Sequence, residues 1–425
     1  MPMTTSGIPA TADAVVVGGG TVGAWCAYFL RQSGASRVVL LEKGLLGEGA
    51  SSRAAGVVRL QGGTPAAVRL GTWSRGFYLR QRDELGTDSG FTEQGYLLPC
   101  FTEAEVAAAR ERMAMQGALG LAVRWLDPGE VDAANPTLAP GQTLGGTFCA
   151  EDGFILPPRN VAAYTAALVR SGVSVAERVA FQGLRSGGGR VRGADTSAGP
   201  VEAPLIVLTG GPKLAEVGRL AGIRIPAGGV RHQVAVTERH PDLDPARVPM
   251  VFDVTAGLYW RPAEGGLLFG MSDPAEPPGT GRAVDHGYLA RMRERLARLV
   301  PVTAGLGLRR IWAATIDYTP DHLPIIGPGL GPDGPVAGVT VACAGGAGMM
   351  WGPAVARAAA DVALTGATDI VETGQLGLDR FDEAGRSRLA ADPVALPFPE
   401  LAPGAAQHEA PGDAPGQAPG RLTIS

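Results

Sequence analysis

The sequence predicts an α/β protein: a parallel-sheet domain assembled from separated stretches of chain, with a mainly antiparallel domain inserted between them. Three observations carry this. Residues 14–42 read as strand, glycine-rich turn, helix and strand. Parallel-strand signals return near residues 173–211 and 338–366. Between them, residues 230–271 alternate in the manner of antiparallel sheet.

The first unit is AVVVGGGTVGAWCAYFLRQSGASRVVLLEK. Gly18, Gly20 and Gly23 have the GxGxxG spacing: the first allows a tight turn, the second lets backbone approach a pyrophosphate, the third lets helix pack on strand. Thr21 and Val22 open the helix, whose first N–H groups face the phosphates. The second apolar run ends on Glu42 and Lys43. A carboxylate at Glu42 accepts hydrogen bonds from adenosine ribose hydroxyls, which favours FAD or NAD over a 2′-phosphorylated cofactor. A lone GxGxxG says little in a chain with 63 glycines. With the strand before it, the helix after it and the acid at the right distance, it marks a dinucleotide site.

Residues 44–63 are too rich in Gly, Ala and Ser to be core and read as a loop lying along an extended ligand, with Arg59 on its far side. A helix follows over 65–85, with Leu70, Trp73 and Phe77 on one face. Residues 91–101 alternate as a strand, and Thr102 with Glu105 forms a capping box for a helix ending near Gly117. DPGE at 127–130 breaks the chain. Residues 152–159 read as a strand and turn leading into a helix capped by Asn160. Short strands are expected at 173–176 and 190–194, and a buried parallel strand at 204–209 ending on Gly210 and Gly211. The segments HQVAVTE, MVFDV, GLYWRP and GLLFGMS form the antiparallel region. A helix over 288–300 then buries Leu289, Met292, Leu296 and Leu299. A strand at 309–315 follows, and one at 338–344 runs into Gly345, Gly348 and a small-residue helix to Leu364. From residue 393 to the end, seven prolines lie among Ala and Gly, the composition of a disordered tail outside any site. The expected division is 12–90, 150–220 and 310–392 for the nucleotide domain, 91–149 and 221–309 for the inserted one, and 393–425 for the tail.

Composition narrows the class. The 425 residues suffice for two cores, and a net charge of −4 argues against a nucleic-acid surface. Lys43 and Lys213 are the only lysines. Cys26, Cys100, Cys149 and Cys343 are scattered, with no CxxC and no histidine at ligand spacing, so neither a metal site nor a disulfide framework is expected. No basic leader and no membrane-length apolar run stand out, so the expectation is a soluble cytoplasmic protein.

Four blocks then resemble the D-amino-acid oxidase superfamily of FAD-dependent oxidoreductases, by motif its sarcosine oxidase, dimethylglycine dehydrogenase and glycine oxidase branch. They are VVVGGGTVG…LLEK, GASSRAAGVVR, IVLTGG, and TPDHLPIIGP with VTVACAGGAGMMWGPAVA. The resemblance implies a Rossmann-like FAD domain of the D-amino-acid-oxidase type with an inserted antiparallel substrate domain. It implies that Gly18, Gly20, Gly23 and Glu42 hold the adenosine diphosphate half. Ser51, Ser52, Ala55 and Gly56 would lie along the ribityl chain and flavin. Val179 would meet adenine through its main chain and Gly210 would close that side. Gly345, Gly348 and Met349 would sit beside the isoalloxazine, with a helix N-terminus aimed at it. Three departures stand out. The position of a flavin-linking cysteine in some relatives is Ala314, which implies non-covalent FAD. The position of a carboxylate-binding lysine is Met350. The strand 266–272 lacks the lysine that activates oxygen in oxidases of that branch.

The implied activity is oxidation of the C–N bond of an amino acid or N-alkyl amino acid to an imine, by hydride transfer to flavin N5. Arg59 aligns with a family arginine that grips the substrate carboxylate. Tyr259 and Arg261 alternate on one strand and so share a face, expected to roof the flavin as pocket wall and second anion contact. Met350 and Trp351 would line an apolar side pocket. His232 reads as a hydrogen-bonded strand histidine, with approach to the substrate chamber as the alternative, His322 as a residue of a loop near the flavin's edge, and Asp317 and Asp321 as braces of that loop. An amine dehydrogenase with a non-oxygen acceptor, or a flavin-carrying subunit of a larger complex, are the alternatives. Partners beyond the small-molecule substrate are left as a homo-oligomer or an electron acceptor. An NAD-dependent dehydrogenase fits poorly, because it leaves the second and fourth blocks without a role.

Overall fold

The computed structural model of the chain describes residues 7–401. The opening unit folds as its pattern requires. Strand Ala14–Val17 leads into helix Thr21–Gln32, and Val38–Glu42 returns parallel to it, Ala14 opposite Val38 and Val17 opposite Leu41. Leu205–Leu208 pairs in parallel on the other side, followed by Gly334–Cys343, while Ser174–Glu177 flanks Val38–Glu42. These strands are the parallel centre of a nine-stranded sheet. A sheet covered on both faces alternates its burial between two cores. Ala14, Val16, Val38 and Leu40 face Trp25, Tyr164 and the alanine-rich helix Gly352–Thr365. Val15, Val17, Val39 and Leu41 face Leu214, Ile223 and Ile225.

An eight-stranded sheet forms the second layer. Its order is Leu308–Tyr318, Gly228–Thr237, Gly266–Met271, Leu258–Ala263, Met250–Asp253, Tyr96–Cys100, Gly145–Cys149, Arg124–Leu126. Pairing is antiparallel except between Met250–Asp253 and Tyr96–Cys100. Helix His286–Leu299 buries Leu289, Met292, Leu296 and Leu299 against one face. The other face carries Tyr96, Val234, Phe252 and Tyr259 and meets Ala55 and Val57 of the glycine-rich loop.

Local expectations are corrected at several points. The strand expected over 91–101 is two: Thr92–Glu93 joins a three-stranded sheet, and Tyr96–Cys100 joins the eight-stranded one. Gly95 makes the break at φ +69°, where a Cβ would lie 2.5 Å from the Phe148 ring. DPGE does not break the chain but starts helix Pro128–Ala134, with Asp127 and Glu130 forming a capping box and Pro128 in the first turn. Asn160 is no cap. Its helix, Pro157–Ser171, starts earlier on the proline. Buried inside it, the Asn160 Oδ1 accepts from Trp25 Nε1 (3.2 Å) and Ser89 Oγ (3.1 Å), tying two helices together. The strand foreseen at 309–315 runs over Leu308–Tyr318 and lies in the eight-stranded sheet, past the boundary expected at 310. Ile325–Gly331, which begins within the TPDHLPIIGP block, pairs antiparallel with Gly334–Cys343. No helix among the described residues is long and apolar enough to cross a membrane.

Candidate active site

A cavity of about 890 Å³ lies between the C-terminal ends of the parallel strands and the inner face of the eight-stranded sheet. Its first part is built from backbone. Gly18 turns at φ +104°, and a Cβ on Gly23 would stand 1.9 Å from the Gly18 carbonyl oxygen, so the helix meets the strand without room for a side chain. Helix Thr21–Gln32 has no side-chain cap and no acid in its first turn, which leaves its positive end open to an anion. Ser51 Oγ accepts from Thr21 N at 2.9 Å and locks the following loop against that helix. The Glu42 carboxylate accepts from Gly19 N and Gly44 N, both at 2.7 Å, and so is fixed at the strand end. Thr209, which the sequence did not single out, is buried and donates to the Val17 carbonyl at 2.5 Å, holding the glycine turn from below.

Most residues expected at the cofactor line this one cavity: Gly18, Gly20, Thr21, Val22, Gly23, Glu42, Lys43, Ser51, Ala55, Gly56, Val179, Gly210, Gly345, Gly348 and Met349. Val179 has its N–H taken by the Glu42 carbonyl at 2.9 Å, so its carbonyl is the group left for a ligand. Ser52 lies instead on a second cavity of about 1010 Å³, across the loop. The regular helix after the last glycine turn starts at Gly352 rather than at the turn itself. Gly345 (φ +59°) and Gly346 (φ +94°) depart from helical backbone, so an irregular turn faces the cavity there.

The rest of the cavity is a chamber of side chains. Arg59 is 5% exposed, its Nη2 donates to the Val394 carbonyl at 2.6 Å, and its guanidinium lies 5.1 Å from the Phe252 ring centre. Tyr259 and His232 sit side by side, hydroxyl to Nε2 at 2.9 Å and rings nearly parallel at 5.7 Å. Burial pushes the imidazole down to about 4, so it is neutral at physiological pH. Met350 and Trp351 also line the cavity. Behind Arg59, Asp152 accepts from Leu60 N (2.6 Å) and Gln61 Nε2 (2.9 Å), yet burial raises its carboxyl to about 7.

Arg261 is on the expected face but not in the chamber. It lines the second cavity, donates to the Ala55 carbonyl at 2.9 Å and stacks 4.2 Å from the Phe154 ring centre. Burial lowers it to about 10, which still leaves a cation at neutral pH. His232 is both strand-bonded and on the chamber. His322 lines the cavity too, at φ +58° and with Nδ1 buried and unpartnered. Asp321 braces its loop through Arg380 (2.7 Å) and Ser387 (2.6 Å), and Asp317 accepts from the Cys343 thiol at 3.1 Å.

The largest correction concerns the tail. Residues 393–401 pack rather than trail away, and Val394, Leu396 and Phe398 line the cavity. The remainder of the segment expected to be disordered, 402–425, lies outside the described residues. Pro-rich composition hid the packing: a turn closed by Ala395 N donating to the Asp392 carbonyl (3.1 Å) starts the segment, and no single period marks its buried side.

A glycine cradle with an open helix end and a fixed carboxylate, facing a chamber of side chains, marks a dinucleotide-binding α/β protein. Residues 13–362 match the DAO family, FAD dependent oxidoreductase, and the chain belongs to it. It is 26% identical over 345 residues to sarcosine dehydrogenase, mitochondrial, of Mus musculus, covering 75% of this chain and 36% of that protein. The chain thus spans little more than a third of that relative's length. Against sarcosine oxidase subunit beta of Rhodobacter capsulatus the identity is 26% over 378 residues, covering 87% of this chain and 89% of the other. The crystal structure of glycine oxidase from Geobacillus kaustophilus superposes with a TM-score of 0.77 at 27% identity, over 88% of this chain and 100% of that one. The cradle's close approaches and uncapped helix end fit FAD, the family's cofactor.

Proposed function

We propose that the protein oxidises the C–N bond of an amino acid or N-alkyl amino acid to an imine, which water then hydrolyses. The observation that carries this reading is the place of Arg59: a buried guanidinium, fixed in orientation by the Val394 carbonyl, in the same cavity as the glycine cradle. A carboxylate held there is gripped by charge-assisted hydrogen bonds from a guanidinium that is itself buried. The names of the relatives, which point to small amino acids, support the same class. Bound FAD supplies the two-electron acceptor. The chain supplies binding, orientation and exclusion of water. Gly18, Gly20, Gly23 and Glu42 hold the adenosine diphosphate half, Ser51, Ala55 and Gly56 the middle, and Gly345, Gly348 and Met349 the flavin end. Tyr259, oriented by His232, bounds the substrate, and Met350 leaves that side apolar.

FAD is non-covalent in this reading. Ala314 lines the cavity without a nucleophile, and burial keeps the Cys343 thiol protonated. The domain division moves with the sheets: residues 308–318 go with the substrate layer. A cytoplasmic location fits four cysteines that are all free. A second reading, an acceptor other than oxygen or a flavin-carrying subunit of a complex, has its own support. Both lysines are engaged with Glu216 (3.9 and 3.5 Å), and one relative is named as a subunit.

The test is anaerobic reduction of the purified holoprotein with sarcosine, dimethylglycine, glycine and proline, followed by air. Bleaching by one of them fixes the substrate class. Fast recolouring with peroxide marks an oxidase, and slow recolouring a dehydrogenase. No bleaching by any amine or amino acid rules the activity out.

A further inference from the structure

We infer that residues 392–398 are the specificity-determining wall of the substrate chamber. They position Arg59 through the Val394 carbonyl and, through Leu396 and Phe398, select an amino acid with an apolar side chain. The inference rests on the reading of Arg59 as the carboxylate anchor.

The segment is built into the site. Asp392 N donates to the Asp321 carbonyl at 3.1 Å, and Asp392 Oδ1 accepts from Val394 N at 3.0 Å, which turns the chain across the chamber. Val394 is fully buried on the sheet face that carries Phe252 and Tyr259. The Phe398 ring lies 5.2 Å from Tyr318 and 5.4 Å from His322. Glycines elsewhere in the chain leave the space it fills. A Cβ on Gly63 would lie 2.1 Å from Asp392 Oδ1, one on Gly257 2.7 Å from Pro397, and one on Gly346 2.9 Å from the Phe398 ring. The segment also lies past residue 362, where the family match ends.

The geometry divides the labour. The Val394 carbonyl takes one hydrogen of Arg59 Nη2 and fixes the plane of the guanidinium, while no side chain or carbonyl of the described residues bonds Nη1. Nε is likewise buried and unpartnered among the described residues, so Nη1 and Nε are the donors left for a substrate carboxylate. Leu396 and Phe398 line the same cavity as Arg59 with apolar surface, so the substituent next to the carboxylate is selected by size and hydrophobicity, where one methylene changes discrimination about 10–200-fold.

The experiment titrates holoprotein with acetate and with benzoate, both unreactive, and follows the flavin visible spectrum. Variants are Arg59→Ala, a chain ending at Ala391, a control ending at Leu401, and the double variant L396A/F398A. Bound FAD and melting temperature are recorded for each. Shortening to Ala391 is expected to weaken both carboxylates about tenfold relative to the Leu401 control, the size of a lost orienting hydrogen bond to a charged group. The double variant is expected to move the benzoate-to-acetate affinity ratio about fivefold. If Arg59→Ala leaves carboxylate binding intact, the anchor reading fails. If Arg59→Ala abolishes binding while the shortened chain and the double variant bind both ligands as wild type, the wall is overturned and the anchor stands. Should the Ala391 chain lose its flavin, the double variant alone decides: an unchanged ratio overturns the wall.

Discussion

The two ends of the cavity are built on different principles. The adenosine end is made of backbone from neighbouring stretches of chain: Gly18 to Gly23, Glu42 and the loop pinned by Ser51. The substrate end is made of side chains gathered from distant places, with Arg59, His232, Tyr259, Met350 and Phe398 each on a different segment. A backbone cradle is specified by what must be absent, a side chain at a glycine. A side-chain chamber is specified by what each residue happens to face, and tertiary packing decides that. The first can be shared by many proteins with different substrates; the second carries the identity of one.

The contrast can be broken hardest at Gly23. Gly23→Ala puts a methyl 1.9 Å from the Gly18 carbonyl oxygen, and neither the strand nor the helix can give way cheaply. Overpacking of this kind costs about 1–3 kcal/mol, and here it falls on the cofactor site. The variant should purify largely colourless, and FAD added back should bind at least about tenfold more weakly. Stoichiometric FAD in this variant would mean the helix does not close on the strand as described.

At the chamber the same question is put by two arginines. Arg59→Ala should raise KM for carboxylated substrates about 10–100-fold while FAD content stays as in wild type, since the loss is one charge-assisted contact pair. Arg261→Ala should do the opposite: lower the melting temperature by removing the Ala55 carbonyl contact and the Phe154 stacking, with little change in KM. Equal KM effects would place both guanidiniums at the substrate. A smaller effect returns to the cradle. Glu42→Gln turns one of two acceptors of backbone N–H into a donor facing one, and FAD affinity should fall about tenfold, read by equilibrium dialysis of the flavin.

That difference also explains what the sequence made legible. The cradle's spacing, strand, helix and acid are local, so Gly18, Gly20, Gly23 and Glu42 could be named before their geometry was known; the other cofactor residues were implied by the family resemblance, and of the whole set all but Ser52 line the cavity. The chamber depends on which strand faces which. Tyr259 and Arg261 share a face as alternation demands, yet Arg261 lies past the cavity's edge, over Ala55, a distance along the sheet that no periodicity encodes. Asn160 had the residue type of a cap and serves as a buried tether. Residues 393–401 had the composition of a disordered tail and pack because glycines elsewhere leave room for them. In each case the local signal was outweighed by a partner distant in sequence.

The finest test of the contrast is the Tyr259–His232 pair, where a side-chain contact can be separated from its surroundings. The imidazole is held near 4 by burial, not by the phenol. The sign follows: below its ordinary value near 6.5 the unfolded chain takes up a proton at His232 that the folded protein refuses, so the contribution of His232 to stability is full above pH 6.5 and falls as pH drops toward 4. Tyr259→Phe removes the 2.9 Å hydrogen bond and should cost about 1 kcal/mol at every pH, the usual net worth of one buried hydrogen bond. It should leave the slope between pH 7 and pH 5 unchanged, because the ring that desolvates His232 remains. Urea unfolding at both pH values measures the two effects separately. A flattened slope in Tyr259→Phe would show that the hydroxyl, rather than burial, keeps His232 neutral, and the pair would then act as one titrating unit instead of a neutral wall beside the substrate.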